Sequence, residues 1–193
     1  MAAIVPLVEG HGEVEAVGVL LRRLAADEDR YDVTIARPFL VKRNRVVRAG
    51  ELERSVAQAL RAREADAALV LLDADDDCPV ELAGDLAARA AAAVATHVSV
   101  VIACREFEGW FLAAKPSLRG VRGIRLDAEV PPQSEGIRDA KGVLTANMEG
   151  TRRYLEVADQ PAMAAAVDLA LAEANSRSFR KLCEEVRRIF AML

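Results

Sequence analysis

An α/β fold with a mainly parallel, four-stranded sheet flanked by helices is what this sequence predicts. Apolar runs of strand length recur at residues 4–8, 31–41, 69–72 and 98–103. Segments of helical period separate them, so strand and helix alternate along the first part of the chain. The runs at 4–8, 69–72 and 98–103 are nearly continuous in their apolarity, which suits strands buried on both faces in a parallel sheet.

The first run ends at Glu9-Gly10-His11-Gly12-Glu13. Pro6 inside it has no N–H to donate, which calls for an edge position, a bulge or a late strand start. Val14, Val17, Leu20, Leu21 and Leu24 then recur at helical spacing. The β-rich stretch 31–41 carries a basic tail, Lys42-Arg43-Asn44-Arg45 with Arg48, expected to be a loop. Gly50 opens a second helix whose apolar face is Leu52, Val56, Ala59 and Leu60. Pro79 suits the first turn of a third helix, running to about Ala95. The fourth strand ends at Arg105-Glu106-Phe107-Glu108. Phe107, Trp110 and Phe111 start a helix that Pro116 closes.

Residues 117–138 form an irregular excursion. Met163, Val167, Ala170 and Leu171 make one helical stripe, and Phe179, Leu182, Cys183, Val186, Ile189 and Phe190 another, with Ser178 as N-cap of the last helix. The expected organisation is an α/β core over residues 1–116. Residues 117–193 add the excursion and C-terminal helices packed on that core.

A chain of 193 residues that is 52% hydrophobic buries a sizeable core and is no disordered segment. A net charge of -4 provides no overall basic field for nucleic acid or membrane. The three cysteines are odd in number and far apart. With no signal-like segment they lead to an expectation of free thiols and a cytoplasmic location. No apolar stretch reaches the roughly 20 residues of a membrane span.

Chemistry concentrates where strands end. Glu9 with Glu13, the run Asp73, Asp75, Asp76 and Asp77, and Glu106 with Glu108 follow three different strands. In a parallel sheet those ends share one edge of the molecule, where open α/β sheets bind ligands. A lone Asp-rich turn is more often a solvated surface feature, but three sets of acids at one edge favour a hard divalent cation. Asp73 and Asp75, two apart, are expected to face one side of extended chain. Counting from Asp73, an EF-hand fails because Cys78 and Gly84 occupy its glycine and glutamate positions. A phosphoaspartate receiver lacks its fifth strand and lysine. There is no P-loop, and two histidines without paired cysteines do not suit zinc.

Val8-Glu9-Gly10 with Glu13, followed by Leu72-Asp73-Ala74-Asp75, resembles the Toprim domain of topoisomerases, primases and OLD-type nucleases. The stretch Arg105-Glu106-Phe107-Glu108-Gly109-Trp110-Phe111 is similar to a Toprim-like family of bacterial proteins, domain-of-unknown-function family 4276. So are Lys141-Gly142-Val143-Leu144, Tyr154, Asp168 and Ser178-Phe179. The resemblance implies a Toprim-like, Rossmann-like fold and Mg²⁺- or Mn²⁺-dependent hydrolysis of nucleic acid, DNA ahead of RNA. It implies Glu9, Asp73 and Asp75 as the catalytic set. Asp73 and Asp75 would be metal ligands, and Glu9 a ligand or general acid/base. Glu13 and Glu106 would complete a second metal site, with Asp77 a further ligand and Glu108 open. His11-Gly12 departs from the polar pair expected between the two glutamates.

Members resembling this chain are often joined to an AAA/ABC-type ATPase, commonly in phage defence, so such a partner is expected. Lys42, Arg43, Arg45 and Arg48 are the candidate nucleic-acid contacts, against a solvated charged loop. Arg105 suits the orienting of a neighbouring carboxylate, and the aromatic trio suits core packing. Two other functions stay open: a non-catalytic subunit binding metal or nucleotide, and phosphoryl transfer on a small substrate. The oligomeric state, a homodimer included, is also open.

Overall fold

The computed structural model describes residues 1–129, 131 and 133–193, so the excursion at 117–138 is described except at 130 and 132. Five strands form one sheet: β1 (Ala2–Val8), β2 (Val33–Ile35), β3 (Phe39–Leu40), β4 (Ala67–Asp73) and β5 (His97–Ala103). Every pairing is parallel, in the order β2-β1-β4-β5, with β3 pairing β1 beyond β2. The second strand of the sequence pattern is therefore two short pieces, interrupted at Ala36, Arg37 and Pro38.

Pro6 sits in a central strand, not at an edge, and the interruption explains how. The Ile4 and Val8 carbonyls accept from Ala36 and Val41, whereas the Ala3 carbonyl accepts from Asp66 ahead of β4. Even-numbered residues of β1 thus turn their polar groups toward β2 and β3. The N–H that Pro6 lacks would have pointed at the gap between them, so no ladder bond is lost.

The helices are α1 (His11–Asp27), α2 (Arg43–Val46), α3 (Glu51–Arg63), α4 (Pro79–Ala93), α5 (Gly109–Ala113), α6 (Ala140–Ala146), α7 (Glu156–Ala166), α8 (Leu169–Asn175) and α9 (Arg177–Met192). Alternation along the strands splits the core into two layers. Ile4, Val8, Leu69, Leu71 and Val101 face Val17 and Leu21 of α1 and Phe179, Val186 and Ile189 of α9. Val5, Leu7, Val70, Leu72 and Ile102 face Val56 and Leu60 of α3 and Leu86 of α4. The first layer runs without a break from β1 into the C-terminal helices, so those helices pack on the sheet as part of one core.

Four local expectations are corrected. The basic tail after β3 is not a loop: α2 occupies Arg43–Val46, with Val46 buried against α3. The stripe from Met163 to Leu171 is two helices, because Val167 leaves helical geometry and Asp168 caps α8 by accepting from the Leu171 N–H at 2.9 Å. Ser176, not Ser178, caps α9, accepting from Phe179 at 3.0 Å. The helix after β5 starts at Gly109, leaving Phe107 in the preceding turn. Phe107, Trp110 and Phe111 are buried and mutually packed, as core residues.

Helix α7 lies against α1, and Gly12 is what lets it come so close. A Cβ there would stand 2.9 Å from the Glu156 carbonyl, and backbone cannot rotate away. Gly12→Ala is expected to cost about 1–3 kcal/mol by urea denaturation, as overpacking does. Gly84→Ala, in α4 with nothing within 4 Å of its Cβ, is expected to gain roughly 0.5–1 kcal/mol. Equal effects at the two positions would refute the close-approach argument.

Candidate functional site

Chain direction reverses between β1 and β4: from β1 it proceeds to one edge of the sheet, from β4 to the other. Their carboxyl ends flank the crevice where open α/β sheets place ligands. Glu9 follows β1 and Asp73 ends β4. The Asp73 N–H donates to Glu9 Oε1 at 2.6 Å, tying the two strand ends together. Asp73 Oδ1 accepts from the Phe107 N–H at 2.8 Å, which ties in the turn after β5. Glu13, in the first turn of α1, accepts the Glu9 N–H at 3.2 Å.

Glu108 completes this inner group and is fully buried. Its Oε1 accepts from the Tyr154 hydroxyl at 3.0 Å and from Gln160 Nε2 at 3.2 Å. Lys141 Nζ lies 3.9 Å from the same oxygen and is bonded to Glu156 at 2.9 Å. Glu108 Oε2 and Gln160 Oε1 are buried with no hydrogen-bond partner among the described residues. Two acceptors left without donors are costly, and a proton or cation between such groups would relieve them.

The electrostatics show how tightly these acids are held. Burial, then the charge of Glu9, pushes the Glu13 carboxyl up to about 7. Burial also lifts Glu108 to about 7, against the pull of Lys141. Asp73 is raised well above its ordinary value by burial and then by Glu13, Glu9 and Glu108. Glu9 is raised by burial, opposed by its bond to the Asp73 N–H and reinforced by the charge of Asp75. Lys141 is held protonated: burial works against it, but Glu108 and Glu156 outweigh burial.

The other predicted residues fall outside this group. Asp75 does not continue the strand; its φ of 50° turns the chain, and its exposed carboxylate lies 3.5 Å from Arg43. Asp77 pairs with Arg43 as well, and Asp76 with Arg105 and Arg138. Glu106, expected in a second metal site, instead caps α6 by accepting from Asp139 and Ala140. Glu108 supplies the charge felt at Asp73 in its place.

Arg43 is a brace for the acidic turn, since it also donates to the Asp73 and Ala74 carbonyls at 2.9 and 3.1 Å. Lys42, Arg45 and Arg48 are exposed, with Arg45 near Glu51 at 3.3 Å. Lys141, Tyr154, Glu156 and Gln160 were not among the sequence candidates. The Lys141-Gly142-Val143-Leu144 and Tyr154 motifs could have signalled the first two, and nothing in the sequence reading signalled Glu156 or Gln160.

Hard carboxylate oxygens are the right donors for Mg²⁺ or Mn²⁺. The orphaned Glu108 oxygen and the protons held near neutrality agree with that chemistry. Among the described residues, no three His, Cys, Asp or Glu side chains are grouped so as to ligate one ion as they stand. The family model described as Domain of unknown function (DUF4276) matches residues 8–187. The chain belongs to this family. No curated protein and no solved structure matches the chain. Among the described residues no helix is long and apolar enough to cross a membrane.

The pH dependence follows from the sign of the shifts. Glu13 and Glu108 keep protons in the folded state that they lose when unfolded, so their contribution to stability falls as pH rises from about 4.5 to about 7. Glu13→Gln and Glu108→Gln are each expected to stabilise the metal-free protein at pH 8 relative to wild type. That gain should shrink by about 1–3 kcal/mol at pH 5. Denaturation at the two pH values measures it, and a gain independent of pH would show the acids to be solvated.

Proposed function

We propose that this chain is a divalent-metal-dependent nuclease with a Toprim-like fold. The supporting observation is the set of acids at the β1–β4 crevice: Glu13 and Glu108 hold protons near neutrality, Asp73 is raised by burial beside them, and one Glu108 oxygen is orphaned. Glu9 and Asp73 would hold the cation, with Asp75 at the outer side and Glu13 and Glu108 at the inner. When bound, the ion would neutralise a phosphodiester and lower the pKa of water, as such ions do.

The chain's own residues have distinct parts to play. Glu9, half-buried and of raised pKa, is suited to take or return a proton. Lys141 places a fixed positive charge beside Glu108 and Glu156, where it can face a phosphate oxygen. The Phe107, Trp110 and Phe111 cluster keeps water from the back of the crevice. Lys42, Arg45 and Arg48 hold the phosphate backbone on the exposed rim, and Arg43 holds the acidic turn in place. A net charge of -4 makes a DNA-gripping partner, such as an AAA/ABC-type ATPase, part of this proposal. A metal-binding subunit without catalysis is the second reading, since the same carboxylates could hold a cation without turning over a phosphodiester.

Mn²⁺ or Mg²⁺ is expected to produce plasmid nicking that chelator abolishes and that Glu9→Gln and Asp73→Asn each remove. Metal at about 100 times its dissociation constant should stabilise the fold by roughly 2.7 kcal/mol, a melting shift of about 5–10 °C. Asp73→Asn should raise apo stability and lose most of that shift. A metal shift without nicking, with the ATPase present, supports the second reading; no shift and no nicking sinks both.

Changing Lys42, Arg45 and Arg48 together to alanine should lower the slope of log affinity against log salt by about 2–3. An unchanged slope assigns them to the solvated surface.

A further inference from the structure

The sheet has two edges, and the chain treats them differently. At one edge β2 and β3 are short and separated by Arg37 and Pro38, devices that keep edges from pairing. At the other, β5 runs seven residues with no proline, lysine or arginine. The Ala103 carbonyl accepts from Ala74, so residues 99, 101 and 103 direct their polar backbone groups to β4. Val98, Val100 and Ile102 direct theirs outward. The Cys104 N–H, which points the same way, is taken by Ser178 Oγ at 3.2 Å.

This edge is the floor of a groove of about 690 Å³. Pro79, Val80, Ala83, Gly84 and Ala87 of α4 form one wall, and α9 forms the other. Val100 and Ile102 retain only 6% and 4% of their surface, because the two helices overhang the strand.

We propose that this groove takes an extended segment of a partner polypeptide, added as a strand beside β5. The recess decides against a second copy of this chain. Its β5 would be equally sunk between its own α4 and α9, and two recessed edges cannot reach each other. The walls set the chemistry of the segment, whose side chains alternate between two faces.

Toward α4 it meets small residues, the 75% exposed Val80, and open space at Gly84, so that face carries apolar side chains. Toward α9, Lys181 and Arg188 are already paired with Glu185, Glu135 is taken up by Ser176 and Ser178, and the exposed Glu184 stands a turn or more along the wall from Arg177. Arg177 is exposed and has no ion-pair partner among the described residues, so the other face of the segment carries an acid.

The test uses the full chain and the synthetic peptide Thr-Val-Glu-Val-Thr-Val-Thr. Saturable binding is expected, with hydrogen exchange at the Val98, Val100 and Ile102 amides slowed about tenfold or more. Arg177→Glu should weaken it roughly two- to fivefold, and replacing the peptide's glutamate by lysine should restore it. Gly84→Trp, which fills open space on an exposed helix face, should block binding without changing the circular dichroism. Absence of saturation at about 1 mM peptide, or protection that maps away from β5, would overturn the proposal. So would concentration-dependent dimers of the free protein that protect the same three amides, since they assign the edge to a second copy.

Discussion

Carboxylates brought together against an apolar wall are the constraint on which the rest of this structure depends. Two unit charges at about 4 Å repel by roughly 4 kcal/mol at an effective dielectric near 20. Glu9, Glu13, Asp73 and Glu108 nevertheless share the crevice between β1 and β4. Three kinds of relief keep them there: backbone N–H donors from Glu9, Asp73 and Phe107, retained protons on Glu13 and Glu108, and the positive charge of Lys141. Each draws on a different part of the chain. The donors come from strand ends and the turn after β5, whereas Lys141, Tyr154 and Gln160 come from α6, the segment after it and α7.

The C-terminal helices are therefore part of the site as well as of the core. Gly12 allows α7 to approach α1, which brings Gln160 and Glu156 over the start of α1 beside Glu13. Asp159, buried one residue before Gln160, accepts from Arg122, Arg152 and the Leu155 N–H. Those bonds hold its carboxyl below the ordinary value although burial works against them. The Arg122 bond anchors α7 to the excursion after α5. The His11-Gly12 pair thus has a packing reason: a polar side chain at position 12 would collide with α7.

The alternation of strand and helix was legible in the sequence because buried parallel strands are apolar throughout, and that pattern has few other readings. The convergence of Glu9, Glu13 and Asp73 was legible for the same reason, since parallel strands bring their ends together. What escaped was set by single backbone angles or by distant contacts. Asp75 turns away because its φ is positive, which no periodicity reveals. Glu106 and Glu108 stand two apart, and the sequence reading places Glu106 in the metal site and leaves Glu108 open. Only the position of α6 decides that one caps a helix and the other enters the crevice. Arg43 looks like its basic neighbours in sequence, yet its guanidinium is spent on the Asp73 and Ala74 carbonyls.

These placements order the events of the proposed reaction. A polyanion approaching the crevice meets Asp75, Asp76 and Asp77 at the rim and the buried acids behind them. Arg43 and Arg105 are already committed to that rim, so neither is free to receive a phosphate. Lys42, Arg45 and Arg48 lie on and beside α2 and can hold flanking phosphates, but they do not neutralise the crevice itself. On the proposed reading Glu13 and Glu108 would give up their protons when a cation is held between the acids, and the crevice would accept a phosphodiester only once its negative charge is offset. Metal uptake should then release protons near neutral pH whether or not nucleic acid is present. The order follows from where the acids sit and is independent of which partner delivers the strand.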